Sequence, residues 1–134
     1  MNNISQNTLT AISNFTQLDA WKEGHALVLM LYKMVKHFPR EELFALNPQL
    51  RRAAVSITSN IAEGFSRQSY REKVQFYYIS LGSITEIQNQ LFIAKDLGYV
   101  TSEEFEHIFN QATKVQRILH GLIKSSKNKY VAHS

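Results

Sequence analysis

Residues 49–65, QLRRAAVSITSNIAEGF, form a helix-length segment whose small residues, Ala53, Ala54, Ser56, Ser59, Ala62 and Gly64, fall on several faces rather than one. A helix of that kind accepts close neighbours on more than one side, so the chain has to supply them. At roughly 100° per residue, Leu46, Leu50, Ala54, Ile57, Ile61 and Phe65 share an apolar stripe, and Arg52, Ser56, Ser59 and Glu63 form a separate polar row. Arg51 lies on the other flank with Val55 and Thr58. Asn47 followed by Pro48 predicts the helix start, since Asn caps free amides and Pro at the first helical position forfeits no hydrogen bond. Gly64 predicts its end.

Three further runs carry helical spacing, and no strand alternation or internal repeat competes with them. In residues 16–37, Leu18, Trp21, His25, Val28, Tyr32 and Val35 recur three and four apart, predicting a bundle-facing stripe that stops at Phe38 and Pro39. Ser69 and Glu72 have capping-box spacing and open a run to Leu97 whose stripe is Val74, Tyr77, Leu81, Ile84, Gln88 and Leu91, closed by Gly98. Thr101 and Glu104 repeat the capping spacing before Phe105, Ile108, Ala112, Val115, Leu119 and Leu122. Long helices with short connections favour antiparallel neighbours, so the expected fold is all-α, an antiparallel up-and-down four-helix bundle. The expected organisation is a disordered arm over residues 1–15, the bundle over 16–126 and a flexible tail over 127–134.

The first helix carries more apolar surface than a bundle consumes. Leu27, Leu31 and Met34 add a second stripe and Leu29 widens the arc, to roughly 220° against the ~100° a core-facing helix needs. The third helix spreads similarly through Phe76, Tyr78 and Ile79. Surplus of this kind becomes a subunit interface, which places Leu27, Leu29, Leu31, Met34, Phe76 and Tyr78 at a homo-oligomer contact.

With no cysteine the chain has neither disulfides nor thiolate metal sites, and a reducing, cytoplasmic setting is expected. Residues 1–15 lack the basic start and apolar run of a signal peptide. The longest apolar run, residues 26–32, is too short for a bilayer, which needs about 20 residues, so no membrane partner is expected. A net charge of +4 permits an acidic partner without demanding one. No acidic residue follows Glu106, whereas Lys114, Arg117, Lys124, Lys127 and Lys129 do, a placement that also complements a helix dipole.

QLRRAAVSITSNIAEGFSR (49–67), WKEGHALVLMLYKMVKHFP (21–39) and FYYISLGSITEIQNQLFIAKDLGYV (76–100) together closely resemble the bacterial four-helix-bundle proteins named for the intervening sequences of 23S ribosomal RNA genes. The resemblance extends from residue 15 to 127. It implies an up-and-down four-helix bundle assembled into a ring-shaped homopentamer, and no catalytic activity. One position departs from the family pattern, which commonly has Pro where this chain has Thr58, so a kink there is not implied. The accessory variability proteins of diversity-generating retroelements are more distantly similar; they are basic pentamers that bind nucleic acid and a reverse transcriptase.

Chemistry-bearing constellations are sparse. A di-iron bundle needs two Glu-x-x-His motifs; this chain has one, Glu104 to His107, flanking its stripe rather than joining it. No metal or other cofactor is expected. His25 is a lone histidine on a packed stripe, and the five glycines are isolated and build no phosphate loop. A hydrolase using Glu63 and His25 across subunits is the weakest reading. Positive charge gathers instead at Arg51, Arg52, Arg67, Arg71 and Lys73, with Tyr70 offering a ring for stacking. The expectation is a non-enzymatic oligomer that binds structured RNA or DNA. The alternative is a protein-interaction hub that positions a partner enzyme, such as a reverse transcriptase, without touching nucleic acid directly.

Overall fold

A computed structural model describes residues 12–132, with side chains described through residue 129. Four helices account for most of it: α1 (Asp19–Val35), α2 (Leu46–Ser66), α3 (Tyr70–Asp96) and α4 (Ser102–Ala132), with single 3-10 turns at Phe15–Gln17 and Arg40–Glu42. No strand occurs among the described residues. α1 packs on α2 and α4, and α3 packs on α2 and α4, which is the up-and-down bundle in chain order. Leu27 and Leu31 of α1, Leu50, Ile57 and Ile61 of α2, Ile84, Ile87 and Leu91 of α3, and Val115 and Leu119 of α4 are fully buried along its axis.

The connections are fixed by local chemistry. The Ser69 hydroxyl accepts from the Glu72 amide at 3.1 Å and starts α3. Thr101 and Glu104 form a reciprocal capping box, each side chain accepting from the other's amide at 3.0 Å. α3 ends in a Schellman turn: Gly98 adopts φ 77°, and the Gly98 and Tyr99 amides return to the Lys95 and Ala94 carbonyls.

α2 and α3 approach closely, as the small residues predict. A Cβ on Gly64 would stand 2.7 Å from Tyr77 Cε1 and 3.0 Å from Phe76 Cβ. Buried Ser80 donates to the Ile57 carbonyl, and Ser83 donates to Ser56 at 2.8 Å. Gly64 is therefore a packing residue inside α2, which runs on to Ser66, rather than its terminator. The start of α2 also differs from expectation. The helix begins at Leu46, whose amide is held by Glu42 Oε1 at 3.2 Å, while Asn47 lies inside the first turn, buried, its Nδ2 donating to the Val35 carbonyl at 3.3 Å. Pro48 keeps its place in that turn, where amides lack intrahelical acceptors anyway. Thr58 sits in uninterrupted helix and its hydroxyl donates to the Val55 carbonyl at 3.4 Å.

α1 is rotated relative to the sequence expectation. Its inward line is Ala20, Gly24, Leu27, Leu31, Met34 and Val35, whereas His25 and Tyr32 are exposed and Trp21 and Val28 half-buried. Leu27, Leu31 and Met34, expected at an oligomer contact, are interior to the single chain. The reason is steric: at Gly24 a Cβ would lie 3.3 Å from Thr58 Cγ2, so α2 crosses where α1 has no side chain, and the large residues beside that crossing are pushed outward. α4 continues past Ser125 to Ala132, and Ser126 is still buried. Of the expected N-terminal arm, residues 1–11 lie outside the described residues.

Candidate nucleic-acid interface at the α2–α3 end

Antiparallel packing sorts the charge by end. The end formed by the α2–α3 turn, the start of α1 and the last turns of α4 carries six basic residues, Arg67, Arg71, Lys73, Lys124, Lys127 and Lys129, against Asp19, Glu63 and Glu72. The opposite end carries Lys33, Lys36, Arg40, Arg51, Arg52 and Lys95 against Glu41, Glu42, Asp96, Glu103, Glu104 and Glu106, six of each sign. Three of the chain's four net positive charges thus belong to the α2–α3 end.

The six residues singled out in the sequence do not form one patch. Arg67 closes α2, and Tyr70, Arg71 and Lys73 occupy the first turn of α3, but Arg51 and Arg52 lie near the opposite end of α2, roughly 24 Å away at 1.5 Å per residue. What joins the Arg67–Lys73 cluster instead is the end of α4. Lys129 lies over the Tyr70 ring at 5.6 Å, and Lys127 lies over Tyr78 at 5.0 Å while donating to its hydroxyl at 2.5 Å. The sequence signal for this was present in the acid-free run after Glu106 together with the antiparallel order, which puts the last turns of α4 beside the first turns of α3.

Arg67, Lys73, Lys127 and Lys129 are each positioned by an aromatic ring or a carbonyl. Arg67 pairs with Glu63 at 2.9 Å and lies over Phe76 at 4.6 Å. Lys73 donates to the Phe65 carbonyl at 2.6 Å near the end of α2, over the Phe65 ring at 5.2 Å. Burial pushes the Lys73 ammonium below its ordinary pKa, and the nearby charge of Lys129 adds to that. A site where like charges crowd gains from an anion. The ring face of Tyr70 is occupied by Lys129, so these aromatics orient cations instead of presenting open stacking platforms. The chemistry of such a surface suits an anionic group through charge and shape, and among the described residues offers no side chain placed to distinguish bases.

His25 stacks on Trp21 at 4.7 Å at the surface of α1, and Glu63 is held by Arg67. Glu104 is committed to its capping box, whose hydrogen bonds from Thr101 hold its carboxyl below the usual range. Among the described residues no three His, Asp or Glu side chains converge to hold a metal ion, and no helix is long and apolar enough to cross a membrane. The expected interface residues Phe76 and Tyr78 fall under Arg67 and Lys127 at the basic end, whereas Leu29 stands exposed on α1.

The pattern of the 23S rRNA-intervening sequence protein family matches residues 16–121, spanning all of α1 to α3 and most of α4. The chain belongs to that family. The 23S rRNA-intervening sequence fold recurs in a crystal structure from Bacteroides thetaiotaomicron, described as a protein with unknown function from the S23 ribosomal protein family. It is 24% identical, with a TM-score of 0.71 over 78% of this chain and 98% of that one. No curated protein matches the chain.

Proposed function

We propose that this 23S rRNA-intervening sequence family protein is a non-enzymatic, cytoplasmic binding and scaffolding module, a homopentameric ring that holds structured RNA or DNA on its α2–α3 ends. The observation that carries the reading is the charge sorting: the positive surplus is concentrated where Arg67, Arg71, Lys73, Lys124, Lys127 and Lys129 converge. A ring repeats that surface around its axis, so a modest monomer charge becomes multivalent.

Binding of this kind is salt-governed, with log K on duplex DNA falling by about 0.9 per phosphate neutralised for each tenfold rise in salt. Anisotropy titration of a structured RNA and a DNA duplex across a salt series therefore shows a steep slope, and replacing Lys124, Lys127 and Lys129 with Gln flattens it. Replacing Lys33 and Arg52 at the balanced end leaves the slope nearly unchanged. Absence of binding at low ionic strength, or binding indifferent to salt, refutes the reading.

A protein partner is favoured by a different observation. Phe44, in the α1–α2 connection, is 91% exposed, and Ile79 and Ile93 of α3, with Leu97 just past its end, are exposed as well. A partner enzyme such as a reverse transcriptase seated there would bind in a salt-tolerant way.

A further inference from the structure

The balanced end of the bundle contains a hollow that the phosphate surface does not use. It has a volume of about 560 Å³ and lies where the end of α1, the connecting segment and the first turns of α2 meet. That is within the roughly 300–1,000 Å³ of small-molecule sites. Its floor is apolar, from Val35, Phe38, Pro39 and Leu43, with Tyr32 at one side. Three cations, Lys36, Arg40 and Arg51, stand on its rim. None of the three is in an ion pair among the described residues, and the positive end of the α2 dipole adds to their field.

Asn47 also lines this hollow and is only 5% exposed. Its Nδ2 is used on the Val35 carbonyl, but its Oδ1 is buried without a donor. Buried acceptors are normally satisfied, so this oxygen points to a missing donor. The demands on an occupant are therefore specific: a group of two or so negative charges for the rim, a flat body for the apolar floor, and an N–H or O–H that Asn47 Oδ1, closed off from the hollow as it stands, meets when its side chain turns toward the occupant. Inorganic phosphate lacks the flat body, and an acyl phosphate lacks the donor.

We propose that this hollow binds a nucleotide, with its phosphate on Lys36, Arg40 and Arg51, its base against Phe38 and Leu43, and a base or ribose donor that draws the Asn47 amide toward the hollow. The nucleotide is either free or the phosphorylated end of a strand. The site is independent of the α2–α3 end, so the two readings fail separately.

The test is calorimetry together with two-dimensional NMR on the whole chain, using the four ribonucleoside 5′-monophosphates, the matching nucleosides and inorganic phosphate. At least one monophosphate binds about tenfold more tightly than its nucleoside or phosphate alone, a difference expected for charge-assisted contacts, and shifts the Asn47 side-chain amide. Arg40→Gln and Arg51→Gln, neither of which removes a core contact, each weaken it about fivefold or more. The Lys124, Lys127 and Lys129 replacements leave it unchanged. A 5′-phosphorylated tetranucleotide that outcompetes the monophosphate assigns the site to strand ends, and one that does not assigns it to free nucleotide; both support the nucleotide chemistry. No saturable binding, phosphate binding as tightly as the monophosphates, or indifference to both Arg replacements overturns the proposal.

Discussion

Gly64 and Gly121 are both helical glycines, and they differ in what faces the missing Cβ. At Gly121 nothing lies within 4 Å, so alanine there gains helix propensity without a clash, about 0.5–1 kcal/mol of added stability. At Gly64 the same gain is opposed by contact with Phe76 Cβ, close to its backbone, and with the ring of fully packed Tyr77. Overpacking costs about 1–3 kcal/mol, so Gly64→Ala is expected to be a net loss of about 1 kcal/mol or more. Urea denaturation of the two variants should give shifts of opposite sign. Tyr99 offers a pH test. Its hydroxyl donates to Glu42 Oε2 at 2.7 Å, and that bond, with burial and nearby acidic charge, pushes its pKa from 10.0 up to about 12. A raised folded-state pKa means the contribution is complete below pH about 10 and lost as pH rises through about 12. Burial moves Tyr77 to about 12 as well. Phenolate absorbance should show both groups titrating late, and Tyr99→Phe should remove one of them and flatten the loss of stability above pH 10.

Among the elements, those with strong local signals were readable without the structure. Ser69 and Thr101 cap where their spacing predicts, and Ser69→Ala is expected to cost about 1 kcal/mol, measurable by thermal or urea unfolding. The Thr101–Glu104 box holds the Glu104 carboxyl below its usual pKa, chiefly through the Thr101 amide. Its contribution is therefore present above pH about 4.5 and fades as pH falls below that, and Glu104→Gln should remove this acid dependence. The stripes of α2 and α4 were equally legible, since Leu50, Ala54, Ile57 and Ile61, and Phe105, Ile108, Ala112, Val115 and Leu119, are all buried as spaced. α1 was not, because a stripe read by residue size follows Trp21 and Tyr32, whereas the true contact line runs through Ala20 and Gly24, where close approach leaves no room for size. The start of α2 was hidden for another reason: its cap comes from Glu42 in the preceding segment, so Asn47 was free to be buried. Of the candidate site, Arg67, Arg71 and Lys73 were legible as a local cluster. Their junction with Lys127 and Lys129 depends on helix order, and their separation from Arg51 and Arg52 on helix length, neither of which a list of charges contains.

On the scale of the whole molecule, the chain is polarised twice: a basic end is set against a balanced one, and an apolar exterior is superimposed on an apolar core. The second polarity bears on assembly. The apolar arc of α1 left open on the single chain is its outer side, where Leu29 is 50% and Tyr32 is 37% exposed, together with half-buried Val28 and, on α2, exposed Val55. Leu31 differs from Leu29 by two residues and about 200° around the helix axis, and it is fully buried. A charge at each position therefore separates assembly from folding. Leu31→Glu places a carboxylate in the core, where it must be desolvated without a partner, and circular dichroism should show lost cooperative unfolding whatever the oligomeric state. Leu29→Glu leaves the core intact, so the monomer should retain its helicity and unfold cooperatively. If the α1 face joins copies of the chain, light scattering should show the Leu29→Glu assembly reduced to monomer, and its nucleic-acid affinity should fall with it, because a monomer presents the basic end once rather than around a ring. A Leu29→Glu protein that keeps the parent's mass in solution would exclude this face as the subunit contact.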